Sequence, residues 1–193
     1  MAESRKGCAV VISNSGKKAQ YRNIFLRSLQ KHIHVASGGR SFNNIGGILP
    51  PGGPAKQSFI KKYKFNMCFE KKSLPGYVTE KITEAMMARC IPIYWGDPDI
   101  VKEFNPKSFI NVHEFSSEEK CFKRILEIEN DNEAYKEMLS EPYFFNNQPN
   151  EWYQEKKYAD FLKYCIESSV PNVGSRQRWY QLGRWKLAKR MHL

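Results

Sequence analysis

The residues best suited to chemistry in this chain sit together at Gly76-Tyr77-Val78-Thr79-Glu80-Lys81. A glycine-containing loop there runs into a helical pattern that carries a charged pair in its first turn. Helix N-termini present unpaired N–H groups and partial positive charge, and Lys81 adds a full one, so the arrangement suits a phosphate-bearing ligand. Arg22 is a second candidate. It falls early in the helix pattern after the first strand-like run, near the strand edge where open α/β sheets bind ligands. Taken alone, it reads more simply as a solvated helix arginine.

Other pairings offer weaker chemistry. Asp97-Pro98-Asp99 spells a DxD pattern that could hold Mn²⁺ or Mg²⁺ against diphosphate oxygens. Asp-Pro is also a common turn and helix-start pair, and the turn is the preferred reading. His32 and His34 alternate on a strand-like run without a third ligand at a familiar spacing, so a metal site is not expected. His113 follows another strand-like run, and a lone histidine is more often structural than catalytic.

The elements that must position these residues alternate along the chain. Continuous apolar, β-branched runs at Cys8–Ser13, Tyr63–Glu70, Ile91–Gly96 and Ser108–Val112 read as strands buried on both faces, with a shorter one in His32–Ala36. Between them lie helical patterns: one with Tyr21, Phe25 and Leu29 on a face, and one capped by Thr79 with Val78, Ile82, Ala85 and Met86 as its apolar stripe. Further helices open at Ser116-Ser117-Glu118-Glu119 and cover Asn132–Leu139 and Glu155–Ile166. Strand–helix units with buried strands predict an α/β sandwich with a mainly parallel sheet. Ser37–Lys56 holds six glycines and three prolines; it predicts a stretch without regular structure, either a connector or a wall of the ligand site.

The 193 residues fit one domain with a real core. No run approaches a membrane span, and the N-terminus does not resemble a signal peptide. The five cysteines are odd in number, scattered and without a CxxC pair, which predicts reduced thiols and a cytoplasmic setting. Net charge is +11, and the stretch after Val170 supplies six positive charges with no acidic residue, leaving +5 on the rest. Trp179, Tyr180 and Trp185 interleave with those charges. The expected organisation is a domain over 8–168 and a basic, aromatic tail over 169–193 that could sit peripherally on an anionic inner-membrane surface or extend into solvent. Charge alone favours nucleic acid, and no nucleic-acid motif accompanies it, so that partner is not expected.

The pattern YKFNMCFE…GYVTEK…IPIYWGDP…FNPKSFINV resembles the α-1,3/4-fucosyltransferases of glycosyltransferase family 10. Cys8–Asn14, Tyr21-Arg22-Asn23 and Asn43-Asn44-Ile45-Gly46 extend the likeness, which covers about Cys8 to Ile166. The resemblance implies a Rossmann-like domain, the C-terminal half of a GT-B enzyme, that binds GDP-fucose and serves inverting transfer of L-fucose to a GlcNAc or glucose hydroxyl. By motif it implies Arg22 and Lys81 on the diphosphate and Tyr77 along the nucleotide. It also puts Glu80, as donor-binding and catalytic group, facing the ribose or the positive charge developing on fucose. No metal is required under it, although Mn²⁺ or Mg²⁺ could stimulate.

Electrostatics independently favours those roles, because glycosyl transfer builds negative charge on the diphosphate and positive charge on the sugar ring. Two departures matter. Many relatives carry asparagine where this chain has Lys71, which either supplements the phosphate charge or is simply solvated, the preferred reading. The family's acceptor domain, implied to supply the general base and to bind the glycan acceptor, is expected to be absent from these residues, so the chain alone is expected to be catalytically incomplete. The alternative is a non-catalytic nucleotide-sugar-binding module of an assembly.

Overall fold

In the computed structural model, residues 4–16, 19–148 and 155–167 are described. The basic tail over 169–193 lies outside them. The chain divides into two compact units, Met1–Gln148 and Pro149–Leu193. In the first unit, five strands form one sheet: β1 (Cys8–Val10), β2 (Val35–Ser37), β3 (Phe65–Phe69), β4 (Ile91–Trp95) and β5 (Ile110–Asn111). Their order is β2-β1-β3-β4-β5, and every pairing is parallel. The mainly parallel α/β sheet predicted from the sequence is present.

Apart from Trp95, which is half-buried, each strand is buried along its length because helices cover both faces. Alternation assigns the side chains: Cys8, Val10, Phe65, Met67, Phe69, Ile91 and Ile93 face one way. They pack on α1 (Gln20–Leu29), α4 (Glu118–Asn130) and α5 (Asn132–Ser140) through Phe25, Leu26, Phe122, Ile125 and Tyr135. On the opposite face, Cys68 and Tyr94 meet Ile82, Ala85 and Met86 of α3 (Glu80–Met87). Ala9 and Ala36 meet Phe59 and Ile60 of α2 (Gly53–Ile60) there.

Four local expectations are corrected or sharpened. Ser37–Lys56 is not wholly irregular, since its last four residues form the first turn of α2, with Pro54 at a position where a missing N–H costs nothing. The strand expected at His32–Ala36 starts only at Val35, and the two histidines stay exposed, His32 stacking on Phe122 and His34 on Tyr63. Thr79 occupies the N-cap position of α3, but its hydroxyl makes no capping bond because it is engaged by Glu70 and Lys81. Ser117 does cap α4, accepting from the Lys120 N–H.

Lys64 is a buried charge with a structural use. Its ammonium donates to Glu129 O at 2.8 Å and Asn132 Oδ1 at 3.0 Å, closing the end of α4 over the Tyr135 ring. The second unit contributes α6 (Glu155–Glu167), whose Tyr158, Phe161 and Leu162 are exposed. Among the described residues no helix is long and apolar enough to cross a membrane.

Candidate functional site: a cationic cavity at the switch point of the sheet

β1 lies between β2 and β3, so successive crossovers leave it in opposite directions. In open α/β sheets that reversal opens a crevice beyond the carboxyl ends of the strands. A cavity of about 510 Å³ lies there. Its walls come from Val11–Asn14 after β1, Gly38–Arg40 after β2, Lys71 after β3, the start of α3 at Glu80 and Lys81, Arg22 of α1 and Lys56 of α2. Five lining residues are cationic (Arg22, Arg40, Lys56, Lys71 and Lys81) and one, Glu80, is acidic. Such a wall suits an anion with more than one negative charge.

Arg22 is only 6 % exposed. One Nη donates to the carbonyl of Asn14, which an Asx turn fixes through Gly16 N to Asn14 Oδ1 at 2.9 Å. Arg22 Nε is buried with no hydrogen-bond partner. Burial pushes the guanidinium down from its ordinary value, and the Glu70 carboxylate works against that. A buried donor left unpaired is costly, and the same residue lines the cavity.

Lys81 faces the same space. A second recess of about 20 Å³, bordered by Arg22, Lys56 and Lys81, reaches down to Asn66 and Met67 of β3. The Lys81 ammonium donates to Glu70 Oε2 at 2.8 Å and to Thr79 Oγ1 at 2.6 Å. An ammonium has three donors, so one remains for a ligand oxygen. Glu80 lies 3.9 Å from that ammonium and is 62 % exposed. Burial acts to raise the Glu80 carboxyl, but its own backbone N–H, Lys81, Lys56 and Thr79 together outweigh it and hold the group below its ordinary value. Glu80 is therefore an ionised carboxylate beside cations.

The structure thus brings Arg22, Glu80 and Lys81 to one cavity. Tyr77 sits apart, on the turn before α3 with its N–H to Leu74 O at 3.1 Å; it is 36 % exposed and is not among the lining residues. Lys71 is both exposed and on the wall. Arg40 and Lys56 were not anticipated as site residues. The Gly38-Gly39 pair before Arg40 was the available signal, since adjacent glycines after a strand mark close backbone approach.

The remaining candidates serve the scaffold. Asp97 is 2 % exposed and its Oδ1 accepts from Asp99 N at 2.9 Å, while Asp99 pairs with Lys102 at 3.0 Å. The DxD carboxylates are committed to a turn, in keeping with the preferred reading. Among the described residues no group of three or more potential ligands gathers as a metal site. His113 lies over Trp95 with its Nε2 3.2 Å from Gly96 O, a contact that fixes the ring against the end of β4.

Comparison with known proteins bears on this geometry directly. Residues 1–181 match the model of the C-terminal part of glycosyltransferase family 10 (fucosyltransferase). The alpha-(1,3)-fucosyltransferase FucT of Helicobacter pylori is 36 % identical over 175 residues, covering 86 % of this chain and 34 % of that protein. A crystal structure of an alpha1,3-fucosyltransferase superposes with a TM-score of 0.76 at 35 % identity, covering 88 % of this chain and 48 % of the other. One determined with GDP-fucose gives 0.75 at 34 % identity, covering 91 % and 51 %. The chain thus spans a third to a half of the length of these relatives. Its sheet has the architecture of the C-terminal half of a GT-B glycosyltransferase, and the chain belongs to glycosyltransferase family 10, the fucosyltransferases.

Proposed function

We propose that this chain is the donor-binding half of an inverting fucosyltransferase, which takes GDP-fucose in the switch-point cavity and serves transfer of L-fucose to a GlcNAc or glucose hydroxyl of a glycan, in α-1,3 linkage. The observation that carries it is that Arg22 and Lys81 line one wall of the same cavity. Two phosphates with adjacent oxygens are the acceptors that such a pair fits, the guanidinium gripping bidentately and the ammonium adding a point charge. Support for guanine and fucose comes from relatives described as alpha-(1,3)-fucosyltransferases, one of them determined with GDP-fucose. Glu80, ionised and close to Lys81, faces the ribose or the positive charge that grows on the sugar ring as the diphosphate leaves. Tyr77, exposed on the turn just ahead of α3 and outside the cavity wall, is assigned to the nucleotide by its motif alone.

Calorimetry against GDP, GDP-fucose, GDP-mannose and UDP-galactose tests the donor. The guanine nucleotides should bind and UDP-galactose should not, with the same affinity in Mg²⁺ and in chelator, because the DxD carboxylates are engaged in their turn. Equal affinity for all four ligands would leave only the fold.

Inverting transfer also needs a base for the acceptor proton. Neither Glu80 on the cavity wall nor the buried Glu70 suits that role. Glu80 is held ionised by cations and so is a weakened base, and Glu70 behind it already accepts from Thr79 and Lys81. We infer that the base comes with the acceptor from outside these residues. The purified 193-residue chain should bind GDP yet transfer little fucose to LacNAc, and robust transfer would overturn this division of labour.

A further inference from the structure

Glu70 directly follows β3 with no exposed surface, and the reaction outlined above gives it no step. Its surroundings are nonetheless built with care. The backbone N–H of Glu70 donates to Trp95 O at 2.8 Å, which fixes the residue at the exit of β4. Its side chain then passes over Gly96, where a Cβ would come within 2.6 Å of the Glu70 Cγ. One carboxylate oxygen accepts from Thr79 N at 3.1 Å and from the Thr79 hydroxyl; the other accepts from Lys81 at 2.8 Å. The carboxylate therefore fixes the residue that begins α3 and the cation that faces the cavity.

We propose that Glu70 is a positioning residue for donor binding: a buried carboxylate that holds the Lys81 ammonium on the cavity wall, so that its remaining donor points at the ligand's phosphate. The proposal rests on the reading of Lys81 as a phosphate contact. Lysine is a flexible point charge on a four-carbon stem, and an unheld one at 28 % exposure would spend its time in solvent. Glu70 supplies the order that an arginine fork would carry in its own planar geometry. Gly96 belongs to the same device, because any larger residue there displaces the Glu70 side chain.

The role separates from simple packing by the ranking of two variants. Glu70→Gln keeps the shape and loses the charge; Glu70→Asp keeps the charge and loses a methylene, a gap the flexible Lys81 stem can follow. Measured by calorimetry with GDP, Glu70→Gln should weaken binding about tenfold, the scale of one charge-assisted hydrogen bond, and Glu70→Asp should recover most of it. A packing role reverses that order and overturns the proposal.

A second comparison isolates Lys81. Lys81→Met should weaken GDP binding by itself, and adding Glu70→Gln to it should change the affinity no further, because the carboxylate then has no ammonium to place. A further tenfold loss in the double variant means that Glu70 acts through something other than Lys81 and refutes the idea. This comparison also stands if Glu70→Gln alone does not fold, since the double variant removes both members of the buried pair. If Lys81→Met leaves GDP affinity unchanged, the failure belongs to the assignment of Lys81 to the phosphate, and the proposal for Glu70 falls with it.

Discussion

Alanine at Arg22 or at Lys81 is expected to weaken GDP binding by about 1–3 kcal/mol, the range for a hydrogen bond to a charged group. The two positions should part company in stability. Arg22 is buried by its stem as well as its head, so Arg22→Met is the informative companion. It keeps the packing, removes the unpaired Nε, releases the carbonyl of Asn14, an exposed residue, and gives up an attraction to Glu70 that involves no direct ion pair. That variant should lose GDP affinity and melt no lower than the parent. Lys81→Ala instead leaves Glu70 fully buried without its cation. Breaking a fully buried pair costs about 3–5 kcal/mol, and the partial exposure of Lys81 puts the expected loss below that range. Calorimetry with GDP and thermal melts of the same preparations check both halves. Unchanged GDP affinity in both alanine variants would remove the diphosphate assignment.

The contrast between these residues marks what could be read from sequence. Order and type of the elements followed from periodicity, because strands buried on both faces leave unbroken runs such as Ile91–Trp95, and each helix carries an apolar stripe. Arg22, Glu80 and Lys81 were recoverable from their motifs, and they do meet at one cavity. The strand order was not legible, since β1 sits between β2 and β3 only through pairings between distant residues. Because the crevice depends on that order, Arg40 and Lys56 could not be singled out beforehand, although the stretch Ser37–Lys56 that holds them reads as either a connector or a wall of the site. Thr79 illustrates a different loss. Its local context specified an N-cap, and a carboxylate nine residues earlier in the chain captured the hydroxyl instead. Local chemistry gave way to a buried charge, for which an unmade bond is the more expensive.

The glycine-rich stretch supplies the sharper test, because it distinguishes a wall from a connector. Gly39→Ala is expected to destabilise the chain by about 1–3 kcal/mol or more, as overpacking against an unyielding neighbour does. A Cβ there would lie 2.2 Å from Ile12 O and 2.4 Å from Ile12 N, which are backbone atoms at the exit of β1 and cannot rotate aside. The same junction is tied by Gly38 N to Val10 O at 3.0 Å and Ser41 N to Ile12 O at 2.8 Å. Asn44 adds a brace, accepting from Ser37 N at 2.7 Å and donating to Val35 O at 2.8 Å. Separating the two chain segments should therefore break hydrogen bonds and move Ile12, Gly38, Gly39 and Arg40 together, and all four line the cavity. GDP affinity should fall along with the urea midpoint. Gly47→Ala is the control on the same stretch, with nothing within 4 Å of the added carbon, and should stay within about 0.5 kcal/mol of the parent. If Gly39→Ala matched Gly47→Ala in both stability and GDP affinity, the segment would be a connector after all, and the donor would have to be held by the β1 and α3 sides alone.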